Sequence, residues 1–385
     1  MIRIKQYTAQ LFLVATLLTG CVASNISTPT PVEGNSFTNT FLRLDAMPAQ
    51  LAEILTLDPT WSSGPVWAVQ YLMKTNHVFG VYGEDGRVVR WSLDSENIVV
   101  THELGIAGPK ALQFSGDGSI LIGPTRRISR VNEYTNRLTD YVTGIAAWDM
   151  ETGKLLLCLS FPCDGSTPEF AGGDINALID VQGKQVFIYD ETSIRIMDLS
   201  GNSPSQVILI NSPDMDYWWN IGNIAYDHVN QRYAIIYQEG RIETESLAQN
   251  NVGPFSFSSF STTLTKGKMG EFADIPVAMF DPSGNWLAYI RADQLIIWRF
   301  DQNSRQPFFE AEIHDAHSLL FDQTGKLLIV ALKDKIRILD VVEKNVVAEY
   351  STPGITSFSI SGDNRLLIWG DKHGAIHIWG ISKSG

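Results

Sequence analysis

The chain is poor in cysteine, in histidine and in positive charge, and past residue 20 it has no apolar run of membrane-spanning length. Once Cys21 is set aside, three cysteines among 385 residues leave only Cys158 and Cys163 in "LCLSFPC" to pair. An exported compartment permits that disulfide, and a buried free Cys158 is the equal alternative; neither implies catalysis. Of the seven histidines, the nearest to a metal pair is His314 and His317 around Asp315 in "EIHDAHSLLF". Two imidazoles and a carboxylate suit a metal in type. No further ligands stand near them in sequence, so a solvated loop or core hydrogen bonds account for them, and neither metal nor cofactor is expected. No Gly-rich phosphate loop occurs between a strand and a helix, and no helical pattern hosts one. With 29 Lys+Arg against 42 Asp+Glu, net −13, attraction to nucleic acid or to anionic lipid surfaces is excluded as a driving force.

What is present begins with a leader. Arg3 and Lys5 precede "LFLVATLL" (11–18), an apolar core too short to span a bilayer, and "LLTGC" sets Leu18, Thr19 and Gly20 before Cys21. Residues 1–20 are expected to be cleaved as a signal peptide. The segment resembles the lipobox of bacterial lipoproteins, which implies a diacylglyceryl group on the Cys21 thiol and a further chain on its freed amine. Two or more acyl chains anchor stably where one is marginal. In that family an Asp after the lipidated Cys marks inner-membrane retention; Val22 stands there instead, implying the outer membrane where the host has one. Loss of Arg3 and Lys5 leaves 27 cations against 42 acids, net −15, so membrane attachment is expected through lipid alone. Twelve of the nineteen residues in 22–40 are Ser, Thr, Asn or Pro. Residues 21–50 therefore read as the lipidated cysteine and a flexible tether, about 30 residues reaching on the order of 30 Å r.m.s..

Residues 51–385 repeat one grammar. "FDPSGNWLAYIRADQLIIWRF" (280–300) gives an apolar residue, a polar turn, an apolar run, a second tight turn and a run closing on Trp298. Versions of it recur at 71–93, 114–123, 179–199, 226–246, 321–341 and 360–380, closing near Trp91, Met197, Leu339 or Trp379. Several copies add a fourth run, such as "NVVAEY" (345–350). Four short antiparallel strands make a sheet that cannot keep both faces dry, and radial stacking of such sheets covers them. The pattern resembles the WD-repeat β-propellers. The Trp-Asp dipeptide survives intact at Trp148-Asp149, while Asp198, Asp340, Trp91, Trp298 and Trp379 keep one member. The Gly-His pair of that family is missing, so its buried His–Asp network is not expected. The last copy stops after three strands, and "AEILTLD" (52–58) is its missing fourth, closing the ring with an N-terminal strand. The expected fold is all-β, a propeller of seven four-stranded blades, or eight with one stunted. The ambiguity lies at 108–161, where six strand-like runs appear.

Chance pairs are common among 42 acids. Asp214 with Asp216, and Glu271 with Asp274, therefore carry no catalytic assignment despite the two-carboxylate logic of glycoside chemistry. The aromatics are more telling. Tyr217, Trp218 and Trp219 are consecutive, so an extended segment cannot bury all three on one face. Together with Asp216, Trp61 and Phe272 they occupy connections between blades, a rim that the resemblance implies for binding. The expectation is a non-enzymatic, lipid-anchored extracytoplasmic scaffold in the bacterial envelope, with a protein or glycan partner. The alternative is a surface lyase, hydrolase or lactonase working at the central channel.

Overall fold

The computed structural model describes residues 51–59, 61, 64–83, 86–106, 108–109, 112–132, 137–160, 176–180, 185–189, 193–199, 206–209, 221–237, 242–246, 277–291, 293–300 and 307–381. Strand β1 (Leu51–Leu57) comes first. Strands β2 (Val66–Leu72), β3 (His77–Tyr82), β4 (Arg87–Ser92) and β5 (Ile98–Glu103) form a first sheet. A second holds β6 (Gln113–Phe114), β7 (Ile120–Asn132), β8 (Arg137–Asp149) and β9 (Leu155–Ser160). The third is β10 (Asn176–Ile179), β11 (Gln185–Tyr189), β12 (Ser193–Asp198) and β13 (Gln206–Leu209). Three strands make the fourth among the described residues: β14 (Ile221–Asp227), β15 (Arg232–Tyr237) and β16 (Ile242–Ser246). The fifth is β17 (Val277–Phe280), β18 (Trp286–Arg291), β19 (Gln294–Arg299) and β20 (Phe309–Glu312). The sixth is β21 (Ala316–Phe321), β22 (Leu327–Leu332), β23 (Lys335–Asp340) and β24 (Asn345–Ser351). In the seventh, β25 (Ile355–Ile360), β26 (Leu366–Asp371) and β27 (Ile376–Ile381) are joined by β1, which pairs antiparallel with β27. No helix occurs among the described residues.

Each sheet is a meander, and its middle strands are apolar on both faces because both faces are covered. Strand β22, "LLIVAL", is buried along its whole length. Leu328, Val330 and Leu332 pack with the fifth sheet, while Leu327, Ile329 and Ala331 pack with the seventh. Alternation at period two thus feeds two cores at once. The outermost strand β24 is exposed or half-buried along its length, because nothing lies beyond it. Seven such apolar clusters each join two successive sheets, and one of them joins the seventh sheet back to the first. The sheets therefore form a propeller-like ring, with first strands innermost and fourth strands outermost.

The turns between first and second strands show how the sequence enforces this. Ser115, Asp180, Asp281, Asp322 and Ser361 each donate their backbone N–H to the carbonyl of the residue five positions on. At Ser115, Asp180, Asp281, Asp322 and Ser361 the side chain also accepts that residue's N–H, at 2.7–3.0 Å. The residue at the fourth position has positive φ: Gly118 (70°), Gly284 (73°), Gly325 (69°) and Asn364 (58°). Glycine adopts that conformation without strain, and asparagine tolerates it. Neighbouring turns also touch. Asn364 Nδ2 donates to Asp322 Oδ2 at 3.2 Å and its Oδ1 accepts the Gln323 N–H at 2.8 Å, and Arg232 reaches the Gly284 carbonyl. The repeated Asp or Ser is a brace that locks its hairpin, and at Asp322 it also ties that hairpin to the next through Asn364.

The six runs expected between 108 and 161 are four strands. "VNEYTNRLTDYV" supplies the far ends of β7 and β8, each 13 residues long, with Val131 opposite Leu138 and Asn132 opposite Arg137. Strand β9 pairs with β8 only from Gly144 onward and β6 pairs with β7 only at Leu121 and Ile122, so the hairpin outruns its sheet. A ribbon with no sheet beside it needs no apolar alternation, which is why its polar stretch reads as a break.

Candidate functional site

Antiparallel meanders put first-to-second and third-to-fourth turns on one rim, called lower here. Second-to-third turns and the connections between sheets share the upper rim. Trp61 lies on such a connection, between β1 and β2, and is 39% exposed. Its ring sits 5.0 Å from that of buried Tyr82, and the Arg87 guanidinium stands 4.7 Å from its centre. Trp91 Nε1 donates to Tyr82 Oη at 3.2 Å, so the shelf beneath the indole is fixed from below. An exposed indole on a rigid aromatic and cationic base is a contact surface with little left to order.

The ring encloses a channel of about 570 Å³, lined from the first strand of every sheet. Trp67, His317 and Thr356 lie at its upper end, and Gly116, His228, Pro282, Gln323 and Gly362 line its lower end. Four first strands carry a register shift one residue after they begin. The extra residues are Trp67, Gly222, His317 and Thr356. A bulge re-aims one side chain without disturbing the rest of the ladder. Trp67 is further seated by Gly83, where a Cβ would lie 2.7 Å from the indole Nε1 and 3.0 Å from Pro65 Cγ. Desolvation in the channel mouth lowers the pKa of the His317 imidazole, against backbone hydrogen bonds at His317 and Leu332 that raise it, although the side chain stays exposed. Tyr226, deeper in, is pushed up to about 12 by burial and by Asp180 and Asp227, and donates to Gln231 Oε1 at 3.0 Å.

Among the described residues, no lysine or arginine lines the channel. Its carboxylates, Asp180 and Asp281, accept the turn N–H groups of Gln185 and of Ser283 and Trp286. Gln113 Oε1 accepts the Ile179 N–H at 3.1 Å and stitches the second sheet to the third. Thr356 Oγ1 and Ser357 Oγ both donate to the Val66 carbonyl, at 2.7 and 2.9 Å, stitching the seventh to the first. These side chains hold sheets together rather than offering acid and base.

Of the residues expected from sequence to bind, Trp61 is described and exposed. Asp216, Tyr217, Trp218, Trp219 and Phe272 lie outside the described residues, as do Cys21 and Cys163. Cys158 falls in β9, opposite Ala146. His314 and His317 part company: exposed His314 lies 3.4 Å from Asp293 Oδ1 and lines a surface cleft with Lys335 and Glu349, whereas His317 lines the channel. Among the described residues, no three or more His, Cys, Asp and Glu gather as metal ligands would. Sequence reasoning missed Trp67 and Thr356. Their only signal is a side chain standing one place out of alternation at the start of an inner strand.

Fold and site together define a propeller-like ring of small antiparallel sheets with an axial channel. No protein-family model matches the chain, and no curated protein matches it.

Proposed function

We propose that this chain is a seven-bladed β-propeller of WD-repeat type, closed by β1, tethered outside the bacterial cell by lipid on Cys21, and serving as a protein-interaction scaffold in the envelope. Seven inter-sheet cores support the blade count. The pairing of β1 with β27 from Leu51↔Ile381 to Leu57↔Ile376 supports the closure, with His377 Nδ1 2.5 Å from Glu53 Oε1 as a cross-strand clasp. Trp148-Asp149 supports the kinship: Trp148 is buried, and Asp149 Oδ1 accepts the Thr152 N–H and hydroxyl to close the next turn. Export and lipidation rest on the leader sequence: Arg3 and Lys5, the apolar "LFLVATLL" and "LLTGC".

The observation that carries the binding role is Trp61, exposed on a shelf of Arg87 and buried Tyr82. Commitment of Asp180 and Asp281 to turn N–H groups favours binding over hydrolysis in the channel. The test is a capture experiment from envelope extract with the anchored protein and its Trp61→Ala and Trp218→Ala variants. A partner retained by wild type and lost by both variants, at unchanged melting temperature, is the expected result; equal capture by all three rejects the rim. Cys21→Ser should release the protein from membranes without detergent, and a variant that stays bound ends the lipid anchor.

A further inference from the structure

We propose that the upper mouth of the channel binds an uncharged, hydroxyl-bearing ring, a pyranose sugar, stacked on Trp67 and hydrogen-bonded by His317. The inference rests on the ring arrangement alone and holds whether or not Trp61 engages a protein.

Three successive sheets, the sixth, seventh and first, each place a bulge residue one position into the innermost strand: His317, Thr356 and Trp67. All three line the channel, so an imidazole, a hydroxyl and an indole stand along one arc at one height. Bulges gather next to binding sites because they redirect a side chain locally. The cavity falls within the range of small-molecule sites, and its wall mixes apolar side chains (Leu112, Met279, Phe358) with few polar ones, as such sites do.

The polar groups choose the ligand class. Among the described residues, an anion would find no lysine or arginine on the wall, and the pKa of the His317 imidazole there is lowered. A cation would need a carboxylate, and Asp180 and Asp281 already accept turn N–H groups. A purely apolar ligand would leave polar groups stranded. Below the mouth, toward the lower end, the Gln70 amide reaches the carbonyls of Tyr71 and Gly116 only at 3.4 and 3.5 Å, so the channel wall is not purely apolar. The C–H face of a pyranose fits an indole, and its hydroxyls both donate and accept, as a neutral imidazole and an amide require.

The experiment is saturation-transfer NMR and calorimetry on the full-length protein with glucose, N-acetylglucosamine and their methyl glycosides. Glucose 6-phosphate and glucosamine serve as charged controls. Wild type should bind a neutral sugar better than either charged one. Trp67→Ala should weaken it roughly tenfold, Trp67→Phe much less, and His317→Gln several-fold at unchanged melting temperature. Preference for the glycosides would point to a glycan chain end, and preference for the reducing sugars to a free ligand. Absence of transfer to every neutral sugar overturns the inference. So does tighter binding of the phosphate, or equal affinity in wild type, Trp67→Ala and His317→Gln. Capture through Trp61 fails or succeeds independently, so the two readings cannot fail for the same reason.

Discussion

The two rims of the ring are built on opposite logic. On the lower rim one device recurs at Ser115, Asp180, Asp281, Asp322 and Ser361: a short side chain accepts the N–H five residues on. At the upper mouth the corresponding positions hold Trp67, Gly222, His317 and Thr356, four different chemistries on one backbone irregularity. Repetition marks what every sheet needs in order to fold. Divergence at a shared backbone position marks what the sheets do not need individually, and so where recognition can be built.

The sharpest way to break this contrast is to remove one brace. Asp322 is fully buried and accepts the Leu327 N–H at 2.9 Å, the Thr324 hydroxyl at 2.6 Å and Asn364 Nδ2 at 3.2 Å. Asp322→Ala strands three donors and should cost about 3 kcal/mol in urea denaturation; a loss below about 1 kcal/mol would mean the brace is ornamental. Gly325→Ala should come next, at about 2 kcal/mol. The residue has φ +69°, and its new Cβ would lie 2.5 Å from Asp281 Oδ2 in the neighbouring turn. No single channel-mouth substitution should approach either value.

The braces were legible in the sequence because turn chemistry is local: "DPSG" and "DQTG" carry their carboxylate and their glycine within four residues. Third strands closing at Trp91, Trp298 and Leu339 were legible for the same reason. The upper mouth was not. A bulge is a property of two paired strands, and nothing in "VWAVQYL" alone says that Val66 opposes Tyr82 while Ala68 opposes Val81. Nor does "EIHDAH" say that His314 and His317 open onto different cavities. The long hairpin of β7 and β8 escaped because its length reads as several separate strand-like runs within 108–161. Pairing nevertheless continues through Pro124↔Ile145 and Arg127↔Tyr141.

The upper rim should respond in the opposite sense to substitution. Trp61→Ala removes an indole that is 39% exposed and should shift stability by about 0.5 kcal/mol or less, while reducing capture of an envelope partner. A large drop in melting temperature would make Trp61 a core residue and erase the distinction between the rims at that point.

Acid should separate the rims by window, with the smallest effect of the set. His102, near the end of β5 and against the third-to-fourth turn of the second sheet, is lowered chiefly by burial, partly offset by its contact with the Met150 carbonyl at 3.2 Å. His317 at the upper mouth is lowered by burial as well. For both, the unfolded chain binds protons more readily than the folded one below about pH 6.5, so stability rises with pH through that window and is lost on acidification. The carboxylates of the lower rim then add a second step. Asp117 and Asp149 are raised by burial but lowered further by the Ser119 and Thr152 hydroxyls and N–H groups. Their folded pKa lies below the unfolded one, so their contribution is intact above about pH 4 and lost as pH falls through the folded value. Urea midpoints measured between pH 7 and pH 3 should decline in two stages. His102→Gln and His317→Gln should each flatten the first, and Asp117→Asn should flatten only the second. A midpoint that rises on acidification to pH 5 would reverse the sign and remove the imidazoles from the account.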